Sequence, residues 1–441
     1  MKEVRLQNFR CYEDQTISFK SGINLLVGDN ASGKTSVLKA CRYVLSAFFC
    51  GFSDENTKWV NPDVDDFRHI EVDGILSQEL PINISFDVAD VILYPQLLPR
   101  GSSYGRYILV KNSKKNSRPL TSGIKGYKDY AALLKGEYFN DSGQQKALPL
   151  FANFSTEDIH STRKIDAGRF NAYYQKPSFG YYECLEGDGF FPYWIKRLLI
   201  LKEGGKNEQE IAIVRRAISE ALGAEGCNII QEMHIRPLQK KVYYQFMDGR
   251  EVEAAYLSDG YRRLVHIVTD IAFRCALLNR GIFGEEACIN TNGTVLIDEI
   301  DLHLHPTLQA LVLKGLCKAF PRLQFIVSSH APMVMSGVES NEENVVYKLE
   351  FSSEEGYSVV PVVTYGMDLS TISKVVLNQT PRTSQTEVEL NNLFALIDED
   401  QIAAATAMLQ VMKERYANNL PELAEAEAML NCIIPGSDEE N

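Results

Sequence analysis

The chain has 441 residues, 45% of them apolar, enough for a substantial core with appended elements. No apolar run of about 18 residues is present, which excludes a transmembrane helix, and nine cysteines without a CxxC pair argue against a zinc hook and for a reducing compartment. The net charge of −13 argues at first against nucleic acid, but twelve Asp/Glu against two Lys/Arg fall from Ser384 onward, leaving −3 for the rest.

Met1-Lys2-Glu3-Val4 opens without a signal-peptide pattern, so a cytoplasmic protein with no membrane partner is expected. Ile23 to Val27 is an apolar run of strand length. It leads into Gly28-Asp29-Asn30-Ala31-Ser32-Gly33-Lys34-Thr35, a full match to GxxxxGK[ST]. From Lys34 to Phe49, Val37, Leu38, Cys41, Val44 and Leu45 recur at helical spacing. Strand, glycine-rich loop and helix are what phosphate binding needs. Glycines at 28 and 33 let amides curl round oxygens, Asn30 and Ser36 flank them, and the helix start adds a positive dipole. Lys34 is expected at the β/γ-phosphates and Thr35 on Mg²⁺.

Between Cys50 and Leu80 the chain is polar and acidic. Either Gln78 or Val64-Asp65-Asp66-Phe67-Arg68 could supply a glutamine-loop element. Ile82 to Phe86 alternates like a strand. Residues 96–225 read as an insertion of loops and helices. Arg106 to Arg118, with Lys111, Lys114 and Lys115, is either a basic patch or a solvated loop. An aromatic group from Phe170 and Tyr173 through Tyr181 to Tyr193 and Trp194 could stack on bases, or belong to a core or an interface. Phe191 to Lys202 and Glu208 to Leu222 read as amphipathic helices, with no heptad run for a long coiled coil.

Lys241 to Phe246 and Glu251 to Tyr256 flank Asp248-Gly249, a hairpin signal. Leu257-Ser258-Asp259-Gly260-Tyr261 then opens a helix running to about Asn279. Thr294 to Ile297 is a strand ending in Asp298 and Glu299. Asp298 is expected to hold Mg²⁺ through its water shell, and Glu299 to orient or deprotonate an attacking water. Asp301 could reach a neighbouring subunit. His303 and His305 lack further zinc ligands nearby and are expected to shape the turn before Pro306. Gln324 to Ser329 is another strand, ending at His330, placed to sense a γ-phosphate. From Ser384 three short helices are expected, with apolar stripes through Leu390, Leu393, Phe394 and Ile397, through Ile402, Ala405, Met408, Leu409 and Met412, and through Leu423, Ala426 and Leu430. They form either a cap or an acidic docking surface.

Together these stretches resemble an ABC-type ATPase of the RecF, SMC and OLD group, and Val4 to Tyr12 with Ile17 to Phe19 resembles that group's first strands. Ser258-Asp259-Gly260-Tyr261-Arg262-Arg263, Asp298 to Pro306, Ser329 to Pro332 and Thr364 to Asp368 resemble the PtuA-type ATPases of Septu and of some retron anti-phage systems. The resemblance implies an α/β fold: a P-loop head with a mixed sheet flanked by helices, an insertion and a C-terminal helical module. Residues 1–95 and 226–380 would be the two halves of the head, 96–225 the insertion and 381–441 the module. It implies ATP and Mg²⁺ as cofactors, with catalytic roles for Glu299 and His330. Ser258 and Gly260 would bind the γ-phosphate held by a second copy of the chain, in a homodimer or higher oligomer. Asp259 and Tyr261 depart from the LSGGQ pattern, which suggests slow turnover. No Toprim or HNH pattern is present, so the implied partner is a separate HNH nuclease of the PtuB kind. DNA, or a retron's msDNA, is a further implied partner. The alternatives are a RecF-like repair ATPase acting on DNA and a scaffold that binds ATP without turnover.

Overall fold

The computed structural model describes residues 1–72, 75–88, 107–112, 122–138, 146–156, 176–187, 190–204, 208–354, 356–379, 383–417 and 419–433. They form two compact units, Met1–Ile372 and Ser373–Asn441.

In the first unit, β1 (Glu3–Phe9) and β2 (Tyr12–Ser18) form an antiparallel pair, joined by β6 (Ile82–Asp87) and β7 (Tyr107–Lys111) in the order β2-β1-β6-β7. Strands β4 (His69–Val72) and β5 (Ile75–Gln78) make a separate two-stranded ribbon. The central sheet is built on β3 (Ile23–Val27), all five residues of which are buried. Its order is β15-β14-β3-β13-β12-β8, with β8 at Leu150–Phe154, β12 at Gly293–Ile297, β13 at Leu323–Ser329, β14 at Val345–Ser352 and β15 at Gly356–Val362. Every neighbouring pair is parallel except β14 with β15, so the sheet is mixed. Strands buried on both faces read as continuous apolar runs, which explains Leu25-Leu26-Val27 and Val295-Leu296-Ile297. Burying each such side chain contributes about 1.5–3 kcal/mol.

The register decides where the chemistry sits. Val27 aligns with Ser329, and Ile297 with Val327, so β3, β12 and β13 end together. In parallel sheets that carboxyl edge is where ligands bind. Helix α1 (Lys34–Ala47) starts there and runs through the core, and Phe48–Cys50 tightens its end into a 3₁₀ turn.

The described residues of the stretch 96–225 are woven into this unit. β7 completes the N-terminal sheet and β8 forms one edge of the central sheet. Helices α2 (Lys125–Tyr138), α3 (Phe191–Gly204) and α4 (Glu208–Leu222) follow in chain order, and α3 and α4 pack on α5 (Asp259–Phe283). Buried charges hold them. Arg197 donates to Glu210 at 2.7–3.0 Å, and Arg274 pairs with Asp270 at 2.6 Å. Trp194 donates to Asp270 at 2.6 Å and stacks on Phe273. Phe179, Tyr181, Phe190, Phe191 and Tyr193 are buried too, so these rings are core and not a base-stacking surface. Phe170, Tyr173 and Tyr174 lie outside the described residues, as do Arg106, Lys114, Lys115 and Arg118. Lys111 is buried, donating to Pro62 O beside the Phe67 ring, so it contributes nothing to a basic surface.

A small sheet, β11-β10-β9 (Glu251–Glu253, Lys241–Phe246, Ile230–Arg236), leads to α5. The hairpin turns at Gly249, φ +85°, as Asp248-Gly249 predicts. Its second strand is shorter than expected, because Ala254–Tyr256 coils into a 3₁₀ turn.

The second unit holds α6 (Ser384–Asp398), α7 (Ile402–Arg415) and α8 (Pro421–Ile433). Leu390, Leu393, Ile397, Ala405, Leu409, Met412, Leu423, Ala426 and Leu430 form one buried cluster, so the three apolar stripes face each other. Among the described residues, no helix is long and apolar enough to cross a membrane.

Candidate functional site

A cleft of ≈ 410 Å³ opens at the carboxyl edge of β3, β12 and β13. Asn30, Gly33, Lys34, Thr35 and Ser36 line one side, and Asp298, Glu299 and His330 the other. Residues from three distant stretches thus meet because their strands share a register.

The loop from Gly28 to Lys34 has the conformation its glycines allow. Gly28 has φ +145° and Gly33 φ +99°. A Cβ on Gly28 would collide with the Leu349 carbonyl of β14, and one on Gly33 with the Tyr12 hydroxyl. Ala31 also sits at positive φ, +64°. Lys34 curls back over the loop, with Nζ donating to Gly28 O at 2.9 Å, Asp29 O at 2.7 Å and Ser32 Oγ at 3.3 Å. Burial pushes its pKa down to about 8, against the pull of Asp298 and other carboxylates. An anion in the cleft would restore a full positive charge there.

Thr35 donates from Oγ1 to Asp298 Oδ2 at 3.3 Å, joining the start of α1 to the end of β12. Asp298 is positioned further by Ser328, which donates to Oδ1 at 2.5 Å. The same Ser328 Oγ accepts from the Glu299 amide at 2.8 Å. Glu299 has φ +48°, an unfavourable conformation for a non-glycine residue that these contacts hold in place. His330 donates its amide to Asp301 Oδ1 at 3.4 Å. Burial and the nearby Lys34 charge lower its ring pKa, favouring the neutral imidazole.

Ser258 and Gly260 are not among the lining residues. Ser258 is exposed at the N-cap of α5, and Asp259 beside it is exposed and pairs with Arg262 at 3.7 Å. Gly260 is buried against the His303 carbonyl, with no room for a Cβ. Tyr261 packs edge-on against Phe246. Arg263 ties this helix to the cleft from behind. Arg263 is 6% exposed, and its guanidinium donates to Asp298 O at 2.5 Å and to Glu299 O. His305 caps the helical turn Pro306–Gln309 through Thr307 N, the turn-shaping place expected of it.

Among the described residues, neither glutamine-loop candidate lines the cleft. Gln78 lies 2.9 Å from His69. Asp66 of the Val64–Arg68 stretch is fully buried under Arg10 (3.3 Å), Lys39 (2.8 Å) and Tyr43 (2.5 Å). Sequence reasoning missed Arg10 and Cys11, which line the cleft from the β1–β2 turn. Arg10 reaches it through a φ of +52°, which the pattern Asn8-Phe9-Arg10-Cys11-Tyr12 does not announce.

The AAA domain family matches residues 3–183, and a second AAA family, described as a putative AbiEii toxin of a type IV toxin–antitoxin system, matches residues 139–336. With the geometry above, these matches make the protein an ATPase built on a phosphate loop. It is 25% identical over 405 residues to a retron Vc95 probable ATPase of Vibrio cholerae serotype O1 biovar El Tor, covering 79% of this chain and 74% of that protein. It is 28% identical over 225 residues to a Septu protein PtuA of Bacillus mycoides, covering 45% of this chain but 30% of that protein. A retron Ec83 probable ATPase of Escherichia coli is 42% identical over 84 residues, 19% of this chain and 15% of that protein. The chain is thus similar to ATPases of the retron and Septu kinds.

Proposed function

We propose that two copies of this chain hold ATP between them, head to tail, and that the resulting switch governs a separate nuclease in an anti-phage defence complex. The observation that carries the two-chain reading is the place of Ser258. It stands at the N-cap position of a 25-residue helix without a side-chain capping bond, is exposed, and lies outside the cleft of its own chain. A helix N-terminus with free amides is an anion site awaiting an anion. In this arrangement Lys34, Thr35, Asp298, Glu299 and His330 of one copy face Ser258 and Gly260 of the other.

The donor set suits Mg²⁺, since a hydroxyl and a carboxylate 3.3 Å apart are hard oxygen ligands. When bound, the ion would neutralise charge between the phosphates. Lys34 would hold the β/γ-phosphates, Glu299 would orient the attacking water, and the neutral His330 would contact the γ-phosphate. The defence role rests on the retron and Septu names of the relatives and on the resemblance of the Ser258–Arg263 and Asp298–Pro306 stretches. The separate nuclease follows from the same resemblance.

The proposal is tested with Glu299→Gln, which should bind ATP without consuming it and accumulate as a dimer in sedimentation. An oligomeric state indifferent to ATP would remove the shared site. Turnover measured with and without DNA separates the repair alternative, for which strong stimulation by DNA is expected.

A further inference from the structure

The stretch Val64 to Arg68 does not line the cleft, yet it grips a residue that does. Phe67 pairs with Phe9 in an isolated antiparallel bridge. The Arg10 amide donates to Asp66 O at 2.8 Å, and the Arg68 amide to Asn8 O at 3.2 Å. These bonds hold a turn in which Asn8 (φ +54°) and Arg10 (φ +52°) both occupy the left-handed region. Arg10 is thereby carried to the wall of the cleft.

The Asp66 side chain is fully buried, and its two oxygens keep different company. Oδ2 accepts from the Tyr43 hydroxyl at 2.5 Å and from the Asp63 amide at 2.7 Å. Oδ1 accepts no hydrogen bond and faces two cations, Lys39 Nζ at 2.8 Å and Arg10 Nε at 3.3 Å. Lys39 alone would balance the buried carboxylate, so Arg10 leaves the cluster with one positive charge in excess. Asp63 and Asp65 are exposed, where solvent and salt screen them. Only Nε of Arg10 meets Asp66. Among the described residues, its Nη1 and Nη2 carry no hydrogen bond or ion pair, and the side chain is 31% exposed at the cleft.

We infer that Asp66 is a positioning residue for nucleotide binding and acts through Arg10: it holds Nε and leaves the two Nη groups to a phosphate oxygen in the cleft. This rests on the phosphates occupying the Gly28–Thr35 cleft. The hold matters because a free arginine would lose rotamer freedom on meeting the ligand, and a tethered one has already lost it. A guanidinium suits the task. It can meet a carboxylate along one edge and a phosphate along another, whereas an ammonium is a single point of charge.

Calorimetric titration with ATP and with inorganic tripolyphosphate, each with Mg²⁺, tests it in a double-mutant cycle. Arg10→Ala should weaken both ligands about tenfold, as loss of one charge-assisted bond does. Asp66→Asn should weaken both about fivefold, because its amide oxygen must stay with Tyr43 and the Asp63 amide and its NH₂ then faces Arg10 and Lys39 with no acceptor for them. In the Arg10→Ala background the same change should alter affinity by less than about twofold, since its effect passes through Arg10. A merely structural Asp66 would add its full loss there. Arg10→Lys, at a partly exposed position that does not endanger folding, should bind as weakly as Arg10→Ala, its one ammonium being held by Asp66. Wild-type affinity in Arg10→Ala, Arg10→Lys or Asp66→Asn, or additive losses in the double variant, would overturn the inference alone. Lys34→Ala binding both ligands as wild type does would overturn the phosphate cleft itself, and this inference with it.

Discussion

Arg263 is the joint between α5 and the end of β12, where Asp298 and Glu299 follow. Its replacement by methionine keeps the buried stem and removes two charge-assisted bonds to the Asp298 and Glu299 carbonyls. Leaving buried carbonyls unmet costs about 1–3 kcal/mol each. Part of this is offset because no guanidinium is then desolvated. A net loss of about 3 kcal/mol follows for the unit Met1–Ile372. At about 2 cal/mol/K per residue, that lowers its melting temperature by about 4 °C. The functional loss should be larger than the thermal one. Glu299 is held at φ +48° by Arg263 and Ser328, and without Arg263 the carboxylate proposed to orient the attacking water is no longer fixed. Turnover should fall at least about tenfold with KM for ATP nearly unchanged, because Arg263 does not line the phosphate cleft. Arg263→Lys should fail similarly, since one ammonium cannot replace a two-pronged donor. Thermal-shift and steady-state assays read both effects. Wild-type melting and turnover in Arg263→Met, or a change confined to KM, would refute the reasoning.

Two further outcomes follow from the cleft. Gly28→Ala should abolish ATP binding in titration while the protein stays folded by circular dichroism, because φ +145° and the Leu349 carbonyl leave a Cβ no place; retained binding would mean the loop is not the phosphate cradle. ATP affinity should be full below pH 8 and decline above it, because Lys34 titrates near 8 and only its charged form attracts phosphate. At pH 9 the loss relative to pH 7 should be about tenfold, and an affinity flat across that range would show that Lys34 is not the ligand.

The phosphate loop, the Asp298–Glu299 pair and His330 were legible in the chain because each follows an apolar strand and carries its chemistry within a few residues. Their meeting was not local information. It depends on β3, β12 and β13 ending in step, a register set by parallel pairing across some 300 positions of chain. The same limit hid the contact of Tyr12 with Tyr357, which folding alone brings together. It also hid the fate of Lys111 and of Tyr181, Tyr193 and Trp194, whose burial no short pattern distinguishes from an exposed patch. The three terminal helices were legible since their stripes repeat at 3.6 residues.

The central claim is that each ATP site draws on two chains, and it is tested by mixing two defective ones. Lys34→Ala removes the proposed phosphate ligand, and Ser258→Arg blocks the helix start proposed to face the other copy's nucleotide. Each variant alone should be inactive in hydrolysis. In a mixed dimer both lesions fall in one site, and the other site is intact. An equal mixture should therefore recover turnover, to about a quarter of the wild-type rate for a two-fold symmetric pair with independent sites. A mixture as inactive as its components would contradict the account and place the complete site within a single chain.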